Sequence, residues 1–249
     1  VMGDLEATLV GLATSAEGLG GLASPGAPLP YVSGNVSLYN QVGVHAIPPS
    51  PIVMAAGVIH DVTTAVGLAL QRAGHFLVVA GEARASLTGS LYAREMLGAR
   101  GTAPPPLDLS REARLQELAV LAAEGRWVRA AHDVSDGGLA TALAEMMLAR
   151  PPESPLGVEV DLRVLEAAAD VALFSEEPAI LWEVPPEGAT RLFAAARERG
   201  LVAWPIGTVA AHGELRVLLP DGSRESWAVA ELREAARAPL ARLWNEEVS

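Results

Sequence analysis

Ala130-Ala131-His132-Asp133-Val134-Ser135-Asp136-Gly137-Gly138-Leu139-Ala140 lies between an apolar run and an Ala/Leu-rich segment, and its reading decides the fold. Trp127 to Ala131 alternates as a short strand does, while Leu139, Leu143, Met146 and Met147 recur at helical spacing. The stretch therefore predicts a strand, a tight acidic turn and a helix. Gly137 and Gly138 open backbone conformations closed to other residues, and Asp136 is placed to cap the helix. A turn of this kind presents backbone N–H groups and carboxylates together, as sites for phosphate or metal-bound phosphate do. Ordinary capping chemistry accounts for the same residues without any ligand.

Outward from this turn, the 249-residue chain is half apolar, enough for a substantial core in one large domain or two small ones. A formal charge of -12 argues against a general nucleic-acid or anionic-membrane surface, both of which need clustered Lys and Arg. Nucleotide binding, which needs only a few placed groups and often Mg²⁺, stays open. With no cysteine there is no disulfide, thiolate metal site or cysteine nucleophile. No window reaches the ~18 apolar residues of a membrane span, and the first residues lack the basic start of a signal peptide. A soluble, cytoplasmic protein is expected, and a helical pattern from Asp4 suggests that the sequence starts inside a fold.

Leu29 to Gln41 carries a short strand into the cluster Ser33-Gly34-Asn35-Val36-Ser37, which is either a turn or a ligand loop. Gly34 allows close approach to the main chain, Asn35 offers a neutral oxygen to a hard cation, and Ser37 offers a hydroxyl to a phosphate. The apolar run Ile52 to Ile59 predicts a buried strand, and a domain boundary is placed near residue 65. Phe76 to Gly81 is the next strand. Ser86-Leu87-Thr88-Gly89-Ser90 leads into a helix start whose N–H groups suit either a phosphate or a cap. Asp108 can cap a helix from Arg111 to Glu124 that Gly125 ends. The sequence of strands and helices to this point is a mixed α/β pattern. Further on, Gly157 to Leu162, Ala203 to Val209 and Glu214 to Leu219 read as strands, and Ala189 to Glu198 and Trp227 to Trp244 as helices. Ser175-Glu176-Glu177-Pro178 reads as a polar knot whose adjacent glutamates can hold a metal but are more often solvated charge.

Several of these strings resemble one family. Ser33-Gly34-Asn35-Val36-Ser37-Leu38-Tyr39-Asn40, Ile47-Pro48-Pro49-Ser50-Pro51-Ile52-Val53, Leu87-Thr88-Gly89-Ser90-Leu91-Tyr92, His132-Asp133-Val134-Ser135-Asp136-Gly137-Gly138-Leu139 and Leu173-Phe174-Ser175-Glu176 resemble, in order and spacing, phosphoribosylformylglycinamidine synthase. The likeness is to the C-terminal portion of the large subunit of the small bacterial type, within the aminoimidazole-ribonucleotide-synthetase-like superfamily. It implies an α/β fold, a mixed sheet with helices. Residues 1–65 would be the end of a second N-type domain, and 66–249 a second C-type domain. The family converts formylglycinamide ribonucleotide, ATP and ammonia into the amidine, ADP and phosphate, with Mg²⁺ balancing phosphate charge. Its partners are a glutaminase subunit that supplies ammonia and a small bridging subunit.

Carried over by position, Gly34 is similar to an ATP-contacting glycine, Asn35 to a Mg²⁺ ligand and Ser37 to a substrate-contacting residue. Asp133 resembles a Mg²⁺ ligand of the first C-type domain, and Ser175-Glu176-Glu177 a degenerate form of that copy's substrate-binding Glu-Ser-Gln. The family's catalytic histidines lie in the N-terminal half of the subunit. None of His45, His60, His75, His132 and His212 falls in a matching motif, and His132 is expected to orient the acidic turn. The resemblance thus implies an enzyme part with no catalytic residue of its own, inactive alone. The alternative is a non-catalytic module of the same complex, holding a nucleotide at the His132 turn or serving as a scaffold. A relative acting on selenophosphate or thiamine monophosphate is disfavoured by the Ser33 to Ser37 string.

Overall fold

The structure, a computed structural model, describes residues 32–35, 41–46, 52–54, 56–81, 86–99 and 107–246, with side chains described as far as residue 239. A two-residue ribbon, β1 (Gln41–Val42) and β2 (His45–Ala46), turns at Gly43. The main sheet has seven strands: β3 (Phe76–Gly81), β4 (Ala130–Val134), β5 (Gly157–Asp161), β6 (Ala179–Val184), β7 (Ala203–Ala210), β8 (Glu214–Leu218) and β9 (Arg224–Ala228). Their order is β4-β6-β3-β7-β5-β8-β9, and every pairing is antiparallel except β5 with β8. The helices are α1 (Leu91–Glu95), α2 (Leu109–Glu124), α3 (Gly138–Leu148), α4 (Ala169–Phe174), α5 (Pro186–Glu198) and α6 (Val229–Glu246). This is the mixed α/β sheet that the sequence predicts.

Strand alternation sends successive side chains to opposite faces, so β3 builds two cores at once. Leu77 and Val79 join Leu139, Leu143, Met146 and Met147 of α3 on one face. Val78 and Ala80 join Trp182 and Val184 of β6, Leu115 and Leu118 of α2, and Leu192 of α5 on the other. Each large apolar side chain fully withdrawn from water contributes about 1.5–3 kcal/mol. The buried middle of the sheet is therefore the rigid platform on which the turns at its rim are mounted.

Local signals set the ends of α2: Asp108 accepts hydrogen bonds from the N–H groups of Ser110 and Arg111, both at 3.0 Å, and Gly125 is the C-cap. Three expectations are corrected. The strand expected at Trp127 to Ala131 is β4, Ala130–Val134, because its ladder with β6 runs from Ala130 opposite Glu183 to Val134 opposite Ala179. Trp227 and Ala228 belong to β9, not to the C-terminal helix, since Trp227 pairs with Leu215. The apolar run from Ile52 forms no strand among its described residues, and Ile52 (97% exposed), Met54 and Val58 lie open to solvent.

Candidate functional site at the β4–α3 turn

The turn between β4 and α3 has the shape its glycines permit. Gly137 and Gly138 both take left-handed backbone, with φ of 79° and 67°. A Cβ on Gly138 would sit 2.6 Å from the carbonyl oxygen of Leu173 and 2.7 Å from Cα of Phe174, so the start of α3 packs directly against the end of α4. Asp136 does not cap the helix. The N-cap is Gly137, without a side-chain cap, because the acceptor comes from elsewhere in the chain.

That acceptor is Glu176. Its Oε1 accepts the N–H of Gly137 at 2.8 Å and the N–H of Leu91, at the start of α1, also at 2.8 Å. The two turns whose N–H groups were candidates for a phosphate thus converge on one carboxylate. Ser175 and Glu177 on either side are buried, and the rings of Phe174 and Tyr92 stack with centroids 4.4 Å apart. The segment from Ser175 to Glu177, expected as solvated charge, is a packed junction. Its residue types gave one signal, an acidic side chain beside an apolar helix end. The partners 39 and 85 residues away were invisible.

On the strand side, His132 is held at both ring nitrogens: Nδ1 lies 3.0 Å from Oδ1 of Asp133, and Nε2 lies 2.7 Å from Oε2 of Glu145 on α3. It ties β4 to α3 and so orients the turn. The Asp133 side chain is 73% exposed. Partial burial pushes its pKa up, but hydrogen bonds from Ser135 and His132 outweigh this and leave the carboxyl below its ordinary value. It is an ionised oxygen donor facing water. Among the described residues there is no group of three or more His, Asp or Glu placed to hold a metal. Gly34 and Asn35 are exposed on non-regular backbone, and a Cβ at Gly34 would meet nothing within 4 Å. Ser37 lies outside the described residues.

A second polar cluster was not read from the sequence. Glu183 on β6 is fully buried and accepts the N–H of Gln71 (2.6 Å), the N–H of Arg72 (2.9 Å) and Nδ1 of His75 (2.6 Å). Its signal was a lone glutamate in the apolar strand Ala179–Val184. The strand pattern concealed what it binds.

A mixed seven-stranded sheet, helices on both faces and a Gly-Gly turn leading from an edge strand into a helix define an α/β domain. Residues 72–220 match the family described as AIR synthase related protein, C-terminal domain, and the chain belongs to that family. Within it, the chain is similar to phosphoribosylformylglycinamidine synthase subunit PurL: 34% identical to that of Methylocella silvestris over 91% of this chain, and 38% identical to that of Thermobifida fusca over 95%. The chain spans about 30% of the length of these relatives (30% and 29%). A solved structure of T. maritima PurL complexed with FGAR shares the fold, with a TM-score of 0.56 at 22% identity over 68% of this chain and 29% of that one. The family resemblance drawn from the sequence strings is borne out.

Proposed function

We propose that this chain is part of an ATP-dependent carbon–nitrogen ligase of purine synthesis, the amidotransferase that makes formylglycinamidine ribonucleotide from formylglycinamide ribonucleotide, ATP and ammonia. The observation that carries this reading is similarity along 91–95% of the chain to PurL subunits of two bacteria. In this reading residues 1–65 complete an N-type domain and 66–249 form a C-type domain. The rest of the subunit, a glutaminase and a small bridging subunit are its partners, and the cytoplasm is its compartment. Among the described residues no helix is long and apolar enough to cross a membrane.

The chain's own residues bind and orient. Gly34 lets ATP approach the main chain, Ser37 meets the ribonucleotide, and Asn35 offers a neutral oxygen to Mg²⁺. Asp133 supplies a single ionised oxygen, which suits an ion that keeps several waters and takes one or two carboxylates. Mg²⁺, when bound, would neutralise phosphate charge. The donor set among the described residues does not complete a metal site. No residue of the chain is assigned as catalytic. Three of the five histidines already have carboxylate partners: His75 with Glu183, His132 with Asp133 and Glu145, and His212 with Glu159 at 3.3 Å.

The test is conversion of formylglycinamide ribonucleotide with ammonium and MgATP. The expected result is no turnover by this chain alone, and turnover once the remaining length of a PurL-type subunit is added as a separate polypeptide. Turnover by the chain alone would place a complete active site within these 249 residues and overturn the assignment.

A further inference from the structure

Three turns distant in sequence meet at one oxygen atom. Oε1 of Glu176 is 2.8 Å from the backbone nitrogens of both Leu91 and Gly137. Each turn is fixed on its own side. Ser90 is buried, accepts the N–H of Ala93 at 3.1 Å and donates to the carbonyl of Leu87 at 2.8 Å. Gly138 is pressed on the backbone of Leu173 and Phe174, leaving no room for a Cβ. Ser175 and Glu177, the neighbours of Glu176 in sequence, are buried, and Phe174 stacks on Tyr92 of α1 with ring centroids 4.4 Å apart.

An N–H engaged by a carboxylate in a charge-assisted bond is not available to another anion. A phosphate approaching Gly137 would have to displace Glu176 and then meet like charge a few ångströms away. We propose that Glu176 is a positioning residue and a resident internal anion: it clasps the turns before α1 and α3 into one unit and closes their junction to phosphate. The clasp does not depend on the amidotransferase reading. It argues against the alternative in which the Gly137 N–H of the His132 turn grips a nucleotide phosphate.

The test uses the full chain, with backbone amide resonances and hydrogen exchange followed for the wild type, Glu176→Gln and Glu176→Ala, each titrated with inorganic phosphate and with MgATP. In the wild type the Leu91 and Gly137 amides are expected to exchange slowly and to stay unmoved by either titrant. Glu176→Ala should speed exchange at both amides together by about tenfold or more, as loss of a hydrogen bond to a charged group implies. The β6 amide of Leu181 should be unaffected. Glu176→Gln, which keeps a carbonyl acceptor, should restore most of the protection at both. Phosphate- or MgATP-induced shifts of Leu91 and Gly137 in the wild type would overturn the proposal. So would loss of protection at only one of the two amides. Should Glu176→Ala not fold, the wild-type titrations and the Gln variant decide alone.

Discussion

A fully buried carboxylate is costly unless its oxygens are all used, and Glu183 uses them on three donors that belong to the turn leading into β3. Replacing Glu183 with alanine strands two N–H groups and an imidazole nitrogen in the interior. The expected loss is about 1–3 kcal/mol for each stranded group, the cost of leaving a buried donor unsatisfied. Urea unfolding would read it as a lower midpoint with an unchanged slope, and a midpoint equal to that of the wild type would mean that solvent reaches the site. The same residue shows what a sequence discloses at this scale. Gly137 and Gly138 announced left-handed backbone because no other residue adopts it cheaply. Glu176 and Glu183 stood out only as acids beside apolar elements and did not reveal their partners, because a carboxylate's role depends on which distant N–H groups the fold brings to it. Asp136 was the local choice of cap, and a remote side chain took its place.

Elements whose ends are set locally were legible. The α2 helix begins at its Asp108 cap and stops at Gly125, both readable from capping chemistry. Asp108→Ala is expected to cost about 1 kcal/mol, measurable as a drop in thermal midpoint, and an unchanged midpoint would show that water satisfies Ser110 and Arg111 equally well. Strands with clear apolar patterning, such as Phe76–Gly81 and Glu214–Leu218, were legible too, but strands whose existence or register rests on the partner were not. Arg224-Glu225-Ser226-Trp227-Ala228 has no apolar alternation, yet it forms β9, and its exposed polar face suits a strand at the sheet margin. The Ile52 run has the apolarity of a buried strand but no ladder among its described residues, so composition alone gave the wrong element. β4 slid three residues from its expected position because β6, some fifty residues later, fixes its register.

At the scale of the whole molecule, six carboxylates among the described residues sit below their ordinary pKa. Hydrogen bonds from Thr63 lower Asp61, the N–H of Arg111 lowers Asp108, Arg163 lowers Asp161, Arg216 lowers Glu214 and Ser223 lowers Asp221. At Asp133 burial pulls upward, but Ser135 and His132 prevail. A folded-state pKa below the unfolded one contributes stability that is complete above the unfolded value and is lost as pH falls through the folded value. The thermal midpoint should therefore be level from neutrality to about pH 5 and decline below about pH 4, with a shallow slope because most of these groups face solvent. A midpoint that rose on acidification would contradict this. The strand order has a consequence of a different kind. β3 lies between β6 and β7, both of which begin roughly a hundred residues or more after it. During synthesis at about 5–20 residues per second, Phe76 to Gly81 leaves the ribosome roughly 5–20 seconds before either flank exists. Through that interval the most apolar strand of the sheet is a nascent segment with two open edges, the kind of species from which aggregation starts.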